Sequence, residues 1–330
     1  MAFQVSEEVR SGRKVYHLRD TTTGASASIL PESGFNLFDL KLPVGGHLRP
    51  ILSSYPDFPN KPRDFGRNGI PILFPFPNRI RDAKYSYGGK DYTLPATNGS
   101  NAIHGFAISD PWDVVEAKVT DAGATIAGRY QISKNSPAMQ PNWPTDGVLS
   151  IRYTLNGRTL TLEAEVSNPT AQPFPFGLGF HPYFHLPFTD GGDQARTKVI
   201  VPASKFWELD QFLPTGKIVD VPAGLDFRAG QPIKGLKLDD VLTGLAFEGD
   251  TCTCKLVDEA LGAEFHLSFD KGFRELVVYT PPGDGDVISL EPYTQTTDAI
   301  NLQTKGVDAG LRVLGHGEMA TFKVVFQTVG

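Results

Sequence analysis

The chain has 330 residues, 40% of them hydrophobic and 11% aromatic, with a net charge of −6. That is ample apolar material for a core, and the basic residues are scattered rather than clustered with aromatics, which argues against a nucleic-acid partner. The 34 glycines and 26 prolines follow no period, so they read as tight turns between short elements rather than as disorder.

At the N-terminus, "MAFQVSEEVRSGRKVYHLRD" lacks the apolar core of a secretory signal. The longest apolar run, "GIPILFPFP", falls far short of the ~20 residues that span a membrane. Alternation or β-branched and aromatic enrichment predicts strands at "KVYHLRD", "TIAGRYQIS", "LSIRYTLN", "TLTLEAEVSN", "LAFEGDTCTCKLV", "AEFHLSF" and "ELVVYTP". "YSYGGKDYTL" reads as a hairpin turning at Gly88 and Gly89. No long segment has a 3.6-residue period, so helices should be few and short. Loops at 53–69, 133–147 and 187–196 are rich in Pro, Gly, Asn and Asp, and such loops on a rigid scaffold are where sites tend to sit. None resembles an interdomain linker. The expected fold is all-β: one large, mainly antiparallel β-sandwich over residues 1–330. Cys252 and Cys254, the only cysteines, sit near the upper limit for bridging if on one strand, so a reduced, cytoplasmic chain is the simpler expectation.

Four stretches hold polar groups that a plain strand does not need: "NRIRD" with Asn78, Arg79 and Arg81; "NAIHGFA" with His104; "FGLGFHPYFHL" with His181 and His185; and "ISLEPYTQ" with Glu291. Glu291 follows the apolar "VISL", which places a half-desolvated carboxylate at a strand end. Desolvation raises a carboxyl pKa towards the range useful for a general base, although a hydrogen-bonded Glu at a turn fits the pattern equally. An HxxxH pair on a helix would suit zinc, but Pro182, Gly177, Gly179 and the phenylalanines oppose a helix. On a strand the two rings would stand roughly 13 Å apart at ~3.3 Å per residue, too far to share one ion. A histidine near Glu291 could instead form an acid–base pair facing it across a substrate, with interleaved aromatics offering flat faces to a sugar. Either histidine could equally be a hydrogen-bonded core residue. Asn78 and Arg79 are donors without a counter-charge in sequence, and a surface role suits them as well.

In this order, the four stretches resemble those of the aldose 1-epimerase (galactose mutarotase) superfamily. The likeness rests on "PNRI", "YGGKDYTLPATNGSNAIHGF", "GFHPYFHL" and "LEPYTQTTDAIN", and runs from about residue 24 to 327. It implies a β-supersandwich and a cofactor-free, metal-free interconversion of the anomers of a small-molecule sugar by a monomer or dimer. Glu291 would be the general base at the C1 hydroxyl and His181 the general acid at the ring oxygen. Asn78, Arg79 and His104 would bind hydroxyls or the ring oxygen. Asp239 matches the family's sugar-binding aspartate best, with Asp240 as its neighbour and rival.

Phe74, Pro75 and Phe106 depart from the Gly-Arg and His-Gly-Gly of the free-sugar members. "RNGIPILFP" resembles a segment of hexose-6-phosphate mutarotases, with Arg67 as a phosphate contact. Glucose-6-phosphate 1-epimerase activity is therefore the alternative substrate reading. Two further rivals are a glycoside hydrolase, using Glu291 with Asp239 or Asp240, and a carbohydrate-binding protein that has lost turnover.

Overall fold

The computed structural model describes residues 2–189 and 192–330. Strands dominate, and the two α-helices among the described residues are short, Ile132–Asn135 and Ala299–Thr304. The N-terminal strands form a five-stranded meander in chain order, from Phe3–Arg10 to His47–Pro50. A nine-stranded sheet is centred on Thr159–Ser167 and Met319–Val329, and an eight-stranded sheet on Asp239–Leu245, Glu275–Tyr279 and Val287–Tyr293. Neighbouring strands in these sheets run antiparallel. This is the large, mainly antiparallel β architecture that the alternation predicted, and the β-supersandwich that the resemblance implies.

The core lies where the sheets face each other. Strand Ala263–Asp270 of the nine-stranded sheet alternates buried and half-buried side chains. Its Phe265 packs on Phe184 from the eight-stranded sheet, with ring centroids 5.0 Å apart, and on Phe326 at 6.4 Å. Each buried ring of this size contributes about 2–3 kcal/mol by leaving water. A single hydrophobic cluster includes Leu37 and Leu40 of the meander, Leu162 and Phe326 of the nine-stranded sheet, and Phe184 and Leu290 of the eight-stranded one.

The predicted strands form, with one division. "LAFEGDTCTCKLV" is not continuous: Leu245 ends one strand, a turn follows, and Thr251–Asp258 is the next. Both cysteines lie buried and free on that second strand. The hairpin closes at Gly88 and Gly89, whose φ values of 58° and 77° suit the tight turn that glycine favours. Residues 190 and 191 of the predicted 187–196 loop lie outside the described residues.

Strand Val287–Tyr293 is buried along its whole length. Leu290 joins the core, while Ser289, Glu291 and Tyr293, at a spacing of two, share the opposite face. Glu291 therefore sits inside a strand and is 1% exposed, not half-desolvated at a strand end as the sequence suggested. The strand continues through Pro292 at the level where the neighbouring chain leaves the ladder. Gly179 pairs with Tyr293 and Tyr183 with Ser289, but between them His181 N–H turns away to Pro71 O, 3.1 Å, and Pro182 has no N–H to offer. His181 thus stands opposite Glu291 in a break between two short strands.

Candidate active site

Strand register assembles the site on one face of the eight-stranded sheet. Asp239 pairs with Tyr279, Tyr279 with Ser289, and Ser289 with Tyr183, so these four form one row across four neighbouring segments. The next row runs Val241, Val277, Glu291 and reaches His181. Three loops wall this platform: 64–67 carries Arg67, 78–79 carries Asn78 and Arg79, and 103–105 carries His104. They enclose a cavity of about 550 Å³ lined by Arg67, Asn78, Arg79, His104, His181, Asp239 and Glu291. The seven residues expected to act on or bind a sugar are brought together. Arg81, His185 and Asp240, which the sequence also raised, do not line it.

The glycines beside His181 leave space for other side chains. A Cβ on Gly179 would lie 2.5 Å from Cδ1 of Tyr293, whose hydroxyl donates to Glu291 Oε2. Across the cavity, a Cβ on Gly105 would meet Phe74 O at 2.2 Å, so only glycine lets the His104 turn close onto that strand. His104 and Asn78 themselves have φ values of 66° and 55°, and such left-handed non-glycine residues concentrate where a site demands them. The two turns lock together: His104 N–H donates to Asn78 O at 2.9 Å, and Asn78 N–H to His104 Nδ1 at 3.3 Å. That leaves the His104 proton on Nε2.

Arg79 is held from several sides. Asn78 Oδ1 accepts from its Nη1 at 3.0 Å and Asn98 Oδ1 from its Nε at 3.1 Å, while Nη2 lies 3.7 Å from Asp239 Oδ2. Arg67 pairs with Asp284 and lies over the Tyr183 ring at 4.7 Å.

His181 and Glu291 are side by side rather than facing each other across a gap: Nε2 and Oε1 are 3.1 Å apart. The surrounding bonds assign most of the protons. Ser289 Oγ donates to Pro182 O at 2.7 Å, so it accepts from His181 Nδ1–H at 2.9 Å. Tyr183 OH donates to Gly66 O and lies 3.2 Å from Nε2. Glu291 Oε1 is buried without a hydrogen-bond partner. Burial pushes the Glu291 carboxyl well above the usual range, against the Tyr293 hydrogen bond that favours its ionised form. Burial likewise pushes His181 well below 6.5, helped by His104. Both shifts favour the neutral forms, so Nε2, left without a proton by the Nδ1–H bond, lies beside a carboxyl that the fold prefers protonated.

The sequence marked Tyr183 only as one of the aromatics that could face a sugar, and passed over Tyr279, Ser289 and Tyr293. The signal was present for two of those three, since Ser289 and Tyr293 flank Glu291 at a spacing of two. Among the described residues, no group of three or more His, Cys, Asp or Glu could hold a metal ion, and no helix is long and apolar enough to cross a membrane.

Burial of the His104 ring, with Arg79 nearby, lowers its pKa from 6.5 to about 3. The folded protein thus favours neutral His104. Its contribution to stability is full above pH 6.5 and is lost as pH falls towards 3. His104→Gln should therefore lose less stability than wild type between pH 7 and pH 4, measured as the change in Tm. Equal changes in the two proteins would contradict this assignment.

The sequence profile of the aldose 1-epimerase family matches residues 14–327. The chain belongs to the aldose 1-epimerase family. Family relatives include the uncharacterized protein YihR of Escherichia coli K12, 27% identical over 186 residues, which are 55% of this chain and 56% of YihR. Galactose mutarotase of Bos taurus is 28% identical over 158 residues, 48% of this chain and 44% of the bovine protein. The chain thus spans about half the length of these two relatives. A galactose mutarotase-like protein from Clostridium acetobutylicum shares the fold over 100% of this chain and 99% of its own, with a TM-score of 0.87 at 23% identity.

Proposed function

We infer that this family member interconverts the α and β anomers of an aldose by opening and reclosing the sugar ring. The observation that carries the reading is the buried His181–Glu291 pair, with Nε2 3.1 Å from Oε1. The two oxygens that must lose and gain protons, the C1 hydroxyl and the ring oxygen, are bonded to the same carbon. An acid and a base 3.1 Å apart can therefore address both at once.

With the cyclic sugar bound, the carboxyl proton moves to Nε2 and Glu291 is ionised. Glu291 Oε1 takes the C1 hydroxyl proton, His181 Nε2–H protonates the ring oxygen, and the C1–O5 bond breaks. The result is the open aldehyde beside a protonated Glu291 and a neutral His181. Rotation about C1–C2 presents the other face of the aldehyde. Reclosure returns one proton to O1 from Glu291 and takes one from O5 to His181. No proton is gained or lost over the cycle. Arg79, Asn78 and His104 Nε2–H donate to sugar oxygens, and Asp239 accepts from a hydroxyl. Each positioned acid or base of this kind contributes about 10²–10⁴-fold.

A free sugar suits the cavity better than a phosphate ester. Arg67 is already paired with Asp284, so a phosphoryl group would have to displace a carboxylate. The hydrolase reading fares worse, because the group beside Glu291 is a histidine and Asp239 is engaged with Arg79. Polarimetry of fresh α-glucose, α-galactose and α-glucose 6-phosphate tests the reading. Wild-type protein should accelerate anomer exchange of at least one free hexose beyond that of the ester. Preference for the ester, abolished by Arg67→Ala, would replace the free sugar with a phosphorylated one. No acceleration with any sugar would refute the function.

A further inference from the structure

The sequence holds three Asn-Gly pairs, at 68–69, 98–99 and 156–157. Glycine has no Cβ to obstruct its own backbone nitrogen, which can therefore reach the side-chain carbonyl of the preceding asparagine. Folding decides which of the three keeps that nitrogen available. Asn68 is fully buried, and Gly69 N–H donates to Ser53 O at 3.0 Å. Gly157 N–H donates to Asp20 Oδ2 at 2.9 Å. Asn98 and Gly99 are exposed, and among the described residues Gly99 N–H has no hydrogen-bond partner. The turn explains why. Asn98 and Asn101 exchange backbone hydrogen bonds of 2.9 and 3.0 Å, closing a two-residue turn on Gly99 and Ser100. Gly99, at φ 62°, takes the first turn position, whose N–H the closing pair does not use.

Asn98 also lines the His181–Glu291 cavity. Its Oδ1 accepts from Arg79 Nε at 3.1 Å. A cation hydrogen-bonded to a carbonyl oxygen favours attack on that carbonyl, because it stabilises the oxyanion that forms. The pair thus combines a free backbone nucleophile with an activated amide.

We propose that Asn98 is a deamidation site, the favoured one of the three, and that its conversion draws Arg79 away from the sugar. Gly99 N gives its proton to hydroxide and attacks Asn98 Cγ. The Oδ1 oxyanion collapses and expels Nδ2, which takes a proton from water, leaves as ammonia and returns the hydroxide. Water then opens the succinimide: breaking Cγ–N gives aspartate, and breaking the bond to the backbone carbonyl gives isoaspartate. One water is consumed and one ammonia released. Aspartate sets a second carboxylate against a guanidinium that already lies 3.7 Å from Asp239. Isoaspartate lengthens the backbone by one carbon and moves the acceptor off Nε. The effect on the sugar rests on the epimerase reading above; the deamidation does not.

The intact protein, held at mildly alkaline pH and body temperature, is followed by peptide mapping, with the same chain unfolded in urea as control. The mass gain of an amide-to-acid change should appear on Asn98 about tenfold or more faster than on Asn68 or Asn156, the factor expected when a backbone hydrogen bond must first open. Arg79→Gln, read by mass alone, should slow the conversion, and an unchanged rate would remove Arg79 from the step. Asn98→Asp should lower kcat/KM for anomer exchange about tenfold, and ageing wild type should lose activity in step with the mass gain. Conversion led by Asn68 or Asn156, or none at Asn98 while the unfolded control converts, would overturn the proposal. Conversion of Asn98 with undiminished anomer exchange would overturn its effect on the cavity. If fresh protein accelerates no sugar, the epimerase reading fails while the mass map still decides the modification.

Discussion

Glu291→Gln is expected to lower kcat for anomer exchange by about 10²–10⁴-fold without lowering the melting temperature. The amide keeps the shape of the carboxyl and can still accept from Tyr293 OH, but it cannot take the C1 proton. The stability half of the expectation follows from burial. Because the folded pKa of Glu291 lies well above 4.5, the fold favours the protonated carboxyl. That contribution is full below pH 4.5 and is lost as pH rises through the folded value. Glutamine carries no such liability, so the variant should gain on wild type as pH rises, read from Tm across that range. Loss of catalysis together with unfolding would show that Glu291 serves chiefly as structure. Full activity in the variant would remove it from the mechanism.

His181→Asn should cost kcat a similar factor, about 10²–10³-fold. The asparagine amide nitrogen can occupy the place of Nδ1 and keep the bond to Ser289 Oγ, so the change removes Nε2 selectively. Wild-type kcat/KM should also have a broad pH plateau. The productive form carries one proton between Nε2 and Oε1. Depression of His181 and elevation of Glu291 move the addition of a second proton to lower pH and the loss of the first to higher pH. The two limits belong to the pair and not to either residue. Both variants should lose this plateau. A His181→Asn protein with wild-type kcat and an unchanged profile would place the ring-oxygen proton elsewhere.

The strands were legible because one-sided burial writes a period of two into the sequence, as in "AEFHLSF", and the Gly88–Gly89 turn announced itself by composition. The buried setting of Glu291 was not legible, because Pro292 signals the end of a strand. It takes the break at His181–Pro182 alongside to show how the strand runs on. The partnership of His181 with Glu291 depended likewise on register: residues 110 positions apart in sequence become cross-strand neighbours only once Tyr183 pairs with Ser289 and Gly179 with Tyr293. The resemblance favoured Asp239 over its neighbour Asp240, and alternation along the strand sends only Asp239 to the cavity face. Arg67 looked available for phosphate because its counter-charge, Asp284, is far away in the chain.

The central claim is that the C1–O5 bond opens while the C1 hydroxyl oxygen stays on the sugar. Fresh α-glucose or α-galactose labelled with oxygen-18 at the anomeric hydroxyl, followed by NMR and mass spectrometry, tests it most directly. With wild-type protein, anomer exchange should run well above the buffer rate with the label retained, and with Glu291→Gln at about the buffer rate. No acceleration, or loss of the label to water as fast as the anomers exchange, would contradict ring opening by His181 and Glu291.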